Sequence, residues 1–342
     1  MADAAPPQLS ELTSGARALA LVGLAKNTGK TVALAAILAE HAAAGRSVGV
    51  TSIGRDGERH DVIDARIEKP SVELQAGDLV ASTGALLSAS ALEHERIEQT
   101  GVRTPLGEVV IARLRERGDV EVAGPSAAAD VRAVAERMLA LGAEQVLIDG
   151  AIDRRAASSP AVADGLVMAT GAILGDRLED VVEMTRDAVD LVRLAASDAD
   201  DDALETLPRR LVLTADAGEI AALLRERPDA SAFAVDGALG ERFLDGLLAA
   251  RGERAGRELR IVAGDPTRVF LSQRGPRWYE RQGIVLQVRR RIELKAITVN
   301  PVAPQSHAFD SRALRESIEA AVGDVPVLDV LDRSYLASAS GA

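Results

Sequence analysis

The chain has 342 residues, too many for one minimal domain and enough for two compact units or one enlarged α/β unit. Hydrophobic residues make up 47% of it but aromatic residues only 2%, so its core must be built from Ala, Val, Leu and Ile, and base-stacking surfaces are not expected. A formal charge of -12 repels polyanions and argues against nucleic acid as a main partner, while the absence of cysteine excludes disulfides, thiolate metal sites and Cys nucleophiles and suits a reducing compartment.

Residues 1–14 are polar and acidic, with neither a basic start nor an apolar core segment, so no secretory signal is expected and 1–15 read as a disordered tail. No apolar run reaches the ~18 residues that span a bilayer, which points to a cytoplasmic protein with no membrane partner. The apolar run 16–22 ends at Gly23, an Ala/Leu/Val-rich helix covers 30–44, and 47–53 gives a second strand. Together these form a βαβ unit of the kind that builds parallel sheets. Further strands are expected at 79–82, 109–114 and 120–122, around a polar helix near 89–100. A helix over 128–141 precedes a strand at 145–148 that stops at Asp149-Gly150. Strand 165–170 and helix 176–195 complete a parallel core, and the acidic run 197–208 reads as a solvated linker. Beyond it, strands at 210–214, 259–262, 269–271 and 296–299 alternate with helices at 218–225, 240–250 and 311–322. The expected organisation is therefore a nucleotide-binding α/β domain over 16–196, a C-terminal α/β region over 209–335 and a disordered tail over 336–342. His41, His60, His94 and His307 show no metal-ligand spacing.

The segment Gly23-Leu24-Ala25-Lys26-Asn27-Thr28-Gly29-Lys30-Thr31 joins the first strand to the first helix. A triphosphate needs backbone N–H groups aimed at one spot, small residues for close approach, a lysine for the β/γ charge and a hydroxyl for Mg²⁺. Gly29, Lys30 and Thr31 supply the ending, and five residues rather than the usual four separate Gly23 from Gly29. The fold class expected is thus a P-loop NTPase, with a mainly parallel sheet flanked by helices. Lys26 either reaches the phosphates or lies in solvent, and Asn27 and Thr28 complete the loop. Asp149, at the end of its strand, fits a carboxylate for magnesium, or a strand-ending turn. Asp56, in the turn after the second strand, is a second candidate for magnesium or for positioning water, or belongs to a solvated turn. The guanine-reading Asn-Lys-x-Asp pattern is absent, which weakly favours adenine; Thr298-Val299-Asn300-Pro301 at a strand end gives Asn300 the polarity to meet a purine edge, or forms an Asn-Pro turn.

The loop spacing and Val146-Leu147-Ile148-Asp149-Gly150-Ala151 are similar to those of dethiobiotin synthetase. The chain more fully resembles the ATPase subunit of the lysine 5,6-aminomutase and ornithine aminomutase reactivase family. That resemblance is carried by 23–31, Thr104-Pro105-Leu106-Gly107-Glu108, the stretch from Asp149 to Arg154, and Val299-Asn300-Pro301 with Phe309-Asp310. It implies an ATP-driven factor that helps an adenosylcobalamin-dependent aminomutase release damaged cobalamin, working with Mg²⁺ and with or without a second reactivase subunit. Lys30 would stabilise the β/γ phosphates, Thr31 and Asp149 would hold Mg²⁺, and Asp56 or Asp149 would orient the attacking water. A homodimer follows by analogy with nucleotide-sandwich relatives. The competing readings are a ligase of the dethiobiotin-synthetase type and a nucleotide-dependent switch or chaperone for an unrelated target.

Overall fold

Ala18, Leu19, Ala20 and Leu21 are all buried, the pattern of a strand covered on both faces of a parallel sheet. The structure, a computed structural model, describes residues 7–54, 71–150, 159–198, 204–250, 258–304, 306–332 and 335–336. By contact the chain divides into Met1–Val182 with Glu293–Ala342, and Glu183–Ile292.

In chain order the first unit begins with α1 (Leu9–Leu12), β1 (Ala18–Gly23), α2 (Lys30–Ala43), β2 (Val48–Ile53), β3 (Ser71–Leu74), β4 (Leu79–Thr83) and α3 (Gly84–Ala89). It continues with β5 (His94–Thr104), β6 (Gly107–Leu114), β7 (Gly118–Glu121), α4 (Ala128–Ala140), β8 (Gln145–Gly150) and β9 (Gly165–Gly171). The division falls within α5 (Leu178–Val192). The second unit holds β10 (Ala195–Ala196), α6 (Arg209–Thr214), α7 (Ala217–Glu226), β11 (Ala232–Val235), β12 (Leu239–Gly240), α8 (Glu241–Ala250), β13 (Leu259–Ala263), β14 (Val269–Phe270), α9 (Pro276–Arg281) and β15 (Ile284–Val288). The chain then returns to the first unit as β16 (Glu293–Asn300), α10 (Ser311–Val322) and β17 (Val327–Leu328).

The first unit is built on a nine-stranded sheet in the order β17-β16-β9-β1-β8-β2-β4-β6-β5. Strands β17 to β4 of that order pair in parallel, and β6 and β5 add an antiparallel edge. Leu19, Leu21, Leu147, Val167 and Ala296 alternate onto one face and pack with Ala33, Leu34 and Ile37, which line one side of α2 at helical spacing. On the opposite face a Cβ added at Gly49 of β2 would lie 2.8 Å from Cε of Met138 on α4, so that helix packs closely there. The second unit has a parallel sheet ordered β10-β15-β13-β11, with Phe233, Ile261, Leu286 and Val288 in a core shared with Ile220, Leu244 and Tyr279. Among the described residues no helix is long and apolar enough to cross a membrane.

Several local expectations change. Residues 94–104 are strand, not the end of a polar helix over 89–100. As the sheet edge β5 is charged on both sides, with Glu95 paired to Arg115, and so lacks the alternation that marks a half-buried strand. Residues 209–214 are the helix α6 rather than a strand. Three apolar residues in a row cannot separate the two, and here Pro208 precedes a turn in which Thr214 Oγ1 donates to Arg210 O (3.0 Å). Residues 9–12 form a helix where a tail was expected, because the Glu40 carboxylate accepts from Ser10 N (2.6 Å) and Leu9 N and buries both. Finally, β16 to β17 belong to the first sheet rather than to a C-terminal region over 209–335.

Candidate functional site

Central strands β1, β8 and β9 end together: Leu21 is level with Asp149, and Gly23 with Ala169. Ligands of parallel sheets bind outside this carboxyl edge. The loop leaving β1 is tightly folded. A Cβ on Gly23 would lie 2.5 Å from Thr28 Oγ1 and 3.2 Å from Ala25 O, so only glycine fits. Thr28 is buried, and its Oγ1 donates to Ala25 O (2.9 Å), closing the loop on itself. Asn27 (φ 68°) and Gly29 (φ 88°) are left-handed, flanking Thr28, which is not. Such alternation turns successive N–H groups into one concavity, a nest suited to an anion. Gly29 is also the N-cap of α2, which adds the positive end of a 14-residue helix to the same place.

Two long-range contacts hold the loop. Leu24 N donates to Ala169 O (2.9 Å), tying it to β9. Asn300, the last residue of β16, donates from Nδ2 to Asn27 O (2.9 Å) and accepts at Oδ1 from Val302 N (3.1 Å). Its Cβ lies 3.2 Å from where a Cβ on Gly29 would be. Asn300 therefore braces the loop, with one amide hydrogen and one lone pair left over.

Lys30, the first residue of α2, makes an ion pair through Nζ with Oδ1 of Asp149, which lies one residue before the end of β8. Both side chains are partly exposed, at 19% and 28%. Thr31 is exposed on the first turn of α2. It opens a groove of about 330 Å³ between α2 and β3 that is also lined by Ala35, Ala39, Ser71, Glu73 and Arg117. Lys26 and Asn27 are exposed on the loop surface. Gly23, Lys26, Asn27, Thr28, Gly29, Lys30, Thr31, Asp149 and Asn300 are thus gathered at one edge. Asp56 lies outside the described residues, as do residues 151–154 of the motif stretch that begins at Asp149.

Other motif positions have structural work of their own. Thr104 to Glu108 form the β5–β6 hairpin turn, where Thr104 Oγ1 donates to Gly107 O (2.9 Å), and β5 lies five strands from β1. Asp310 caps α10 by accepting from Ala313 N (2.8 Å). Phe309 N donates to Pro301 O (2.9 Å), and its ring meets His307 edge-on at 4.8 Å.

Two residues of this edge have roles that sequence reasoning does not give. Ser52, level with Asp149, accepts from Gly124 N (2.9 Å) and fastens 122–124 beside it. Thr298 is level with Ala169 and Gly23 and is buried, and among the described residues its hydroxyl has no partner. A lone Ser or Thr in an apolar strand gives no signal, since its value depends on the neighbouring strand.

Among the described residues no three His, Asp, Glu or Cys groups converge as a metal cluster. At this edge the Asp149 carboxylate and the exposed Thr31 hydroxyl are oxygen donors of the kind a hard cation such as Mg²⁺ takes. The Lys30 ammonium already lies on that carboxylate, so the site accepts positive charge there. Compared with known proteins, the chain matches no family model, no curated protein and no solved structure.

Proposed function

We propose that the chain is a P-loop ATPase that binds ATP with Mg²⁺ between β1 and α2. In this reading it serves as the ATPase component of a reactivase that releases damaged cobalamin from an adenosylcobalamin-dependent aminomutase of the lysine 5,6- or ornithine type. The observation that best supports nucleotide binding is the convergence of the glycine-constrained 23–29 loop, Lys30 and Asp149 at the carboxyl edge of the central strands. The mutase as partner rests on the resemblance of the four sequence stretches.

In this reading the concave amides of the loop take the phosphate oxygens, and Lys30 balances the charge on the β and γ groups. Thr31 and Asp149 would hold the Mg²⁺, which would supply charge neutralisation. Asp149 or Asp56 orients the attacking water. Asn300 keeps the loop in shape, and a purine edge could use only its remaining hydrogen and lone pair. ATP and ADP forms must differ in affinity for the mutase, because a ligand shifts an equilibrium only by its differential binding. The site serves a cytoplasmic protein, with a second reactivase subunit or a homodimer as the forms to look for.

The groove that opens at Thr31 favours a second reading, an ATP-dependent ligase acting on a small molecule. The two separate by what stimulates hydrolysis. Full-length protein with ATP and Mg²⁺ should turn over faster with an inactivated aminomutase and restore its activity. Stimulation by a small carboxylate or amine instead would select the ligase, and recovery failing even with a partner subunit present would remove the reactivase.

A further inference from the structure

The contact between Lys30 and Asp149 joins two groups that nucleotide binding requires to be apart. The lysine belongs on the phosphates and the carboxylate on the cation. We propose that Asp149 is a counter-ion latch: it holds the Lys30 ammonium until a divalent cation replaces it, so that the site accepts the metal-bound nucleotide and discriminates against the free polyanion. This inference rests on the nucleotide-binding reading of the same site.

Three observations support it. Lys30 starts α2 and Asp149 nearly ends β8, a strand paired to β1, so both are anchored on rigid elements that converge on the loop. Both side chains are mostly shielded, so bulk salt replaces neither partner fully. The neighbouring Ser52 hydroxyl already serves Gly124 N and Val122 O, which leaves the Asp149 carboxylate with Lys30 as its cationic partner. On the nucleotide-binding reading the metal that accompanies the nucleotide is a second cation for the same carboxylate.

The consequence follows from charge alone. A polyphosphate arriving without metal must draw Lys30 away and leave the Asp149 carboxylate uncompensated beside new negative charge. A polyphosphate arriving with a divalent cation exchanges both partners at once: Lys30 passes to phosphate and Asp149 to metal. Cation and anion thus bind cooperatively through one carboxylate, and the coupling is reciprocal.

Two mirror-image variants test this in the full-length chain, with circular dichroism confirming that each is folded. Asp149→Asn removes the latch, and calorimetric titration with ATP in EDTA should show binding about tenfold tighter than wild type, a figure discounted for the partial exposure of both groups. The same variant should lose most of the gain that Mg²⁺ gives to wild type. Lys30→Met frees the carboxylate, and titration with Mn²⁺ alone, followed by electron paramagnetic resonance, should show about tenfold tighter binding than wild type. The proposal is overturned if Asp149→Asn binds ATP in EDTA no better than wild type, or if Lys30→Met leaves Mn²⁺ affinity unchanged. Wild type that binds no ATP even with Mg²⁺ would remove the nucleotide reading and the proposal with it. Failure of either variant with wild-type binding intact removes the latch alone.

Discussion

Replacing Gly23 with alanine puts a methyl group where the structure has no room. The new Cβ would lie 2.5 Å from Thr28 Oγ1, closer than real Cβ contacts come. Thr28 cannot swing aside cheaply, because it is buried and its hydroxyl donates to Ala25 O at 2.9 Å. Overpacking of this kind costs about 1–3 kcal/mol. Thr28→Ala removes the offending oxygen at the cost of one hydrogen bond, about 1 kcal/mol. In the double variant the closer clash is gone and only the 3.2 Å approach to Ala25 O remains, so the two effects should not add, and a coupling of about 0.5–3 kcal/mol is expected. Urea unfolding of wild type, both single variants and the double variant measures it. If Gly23→Ala costs the same with Thr28 present and absent, the loop is not closed in the way described and the argument from its geometry fails.

Asn300→Ala should weaken Mg-ATP binding about tenfold by releasing the Asn27 carbonyl, while Asn300→Asp, which keeps the acceptor for Val302 N but loses the donor, should weaken it as much; nucleotide titration of both decides. Burial raises the Asp78 carboxyl above its ordinary value against the opposing pull of hydrogen bonds from Val48 N and Gln75 N. Its contribution is thus fully present below the unfolded value and falls as pH rises through the folded one; Asp78→Asn should flatten that limb of the stability–pH curve yet cost about 1–3 kcal/mol, because the amide offers one acceptor where two N–H groups point. Asp164 behaves oppositely: burial pushes it up, but hydrogen bonds from Arg132 and Ala18 N outweigh burial and hold it low, so its stabilisation is present above the unfolded value and lost as pH falls through the folded one. Acid unfolding of Asp164→Asn should accordingly show a shallower loss. Tyr335→Phe removes the hydroxyl shared by Glu40 and Leu9 N, and limited proteolysis should cut the first fifteen residues faster.

What was legible in the sequence was local. The buried run into Gly23, the helix from Lys30 and the strand ending at Asp149 could be read because each is encoded within a few adjacent residues. The partners of that loop were not, since strand pairing over long separations leaves no local trace. Asn300 sits 273 positions from Asn27, and its role as a brace follows only from β16 lying beside β9. The same limit explains the linear domain division, which could not anticipate that the chain leaves the first unit within α5 and returns to it at Glu293. Short or edge elements failed for a different reason. β5 is charged because it lies at an edge, and α6 is apolar over too short a stretch to show a period. α1 depends on one buried glutamate in an otherwise alanine-rich helix, a residue whose partner is invisible until the helix packs.

The central claim is that residues 23–31, with Lys30 and Asp149, bind a magnesium nucleotide. Isothermal titration of the full-length protein with ATP in excess Mg²⁺, for wild type and Lys30→Ala side by side, tests it most directly. The account predicts saturable one-site binding by wild type and its loss in a folded Lys30→Ala variant. No binding by wild type, or equal binding by both, contradicts it.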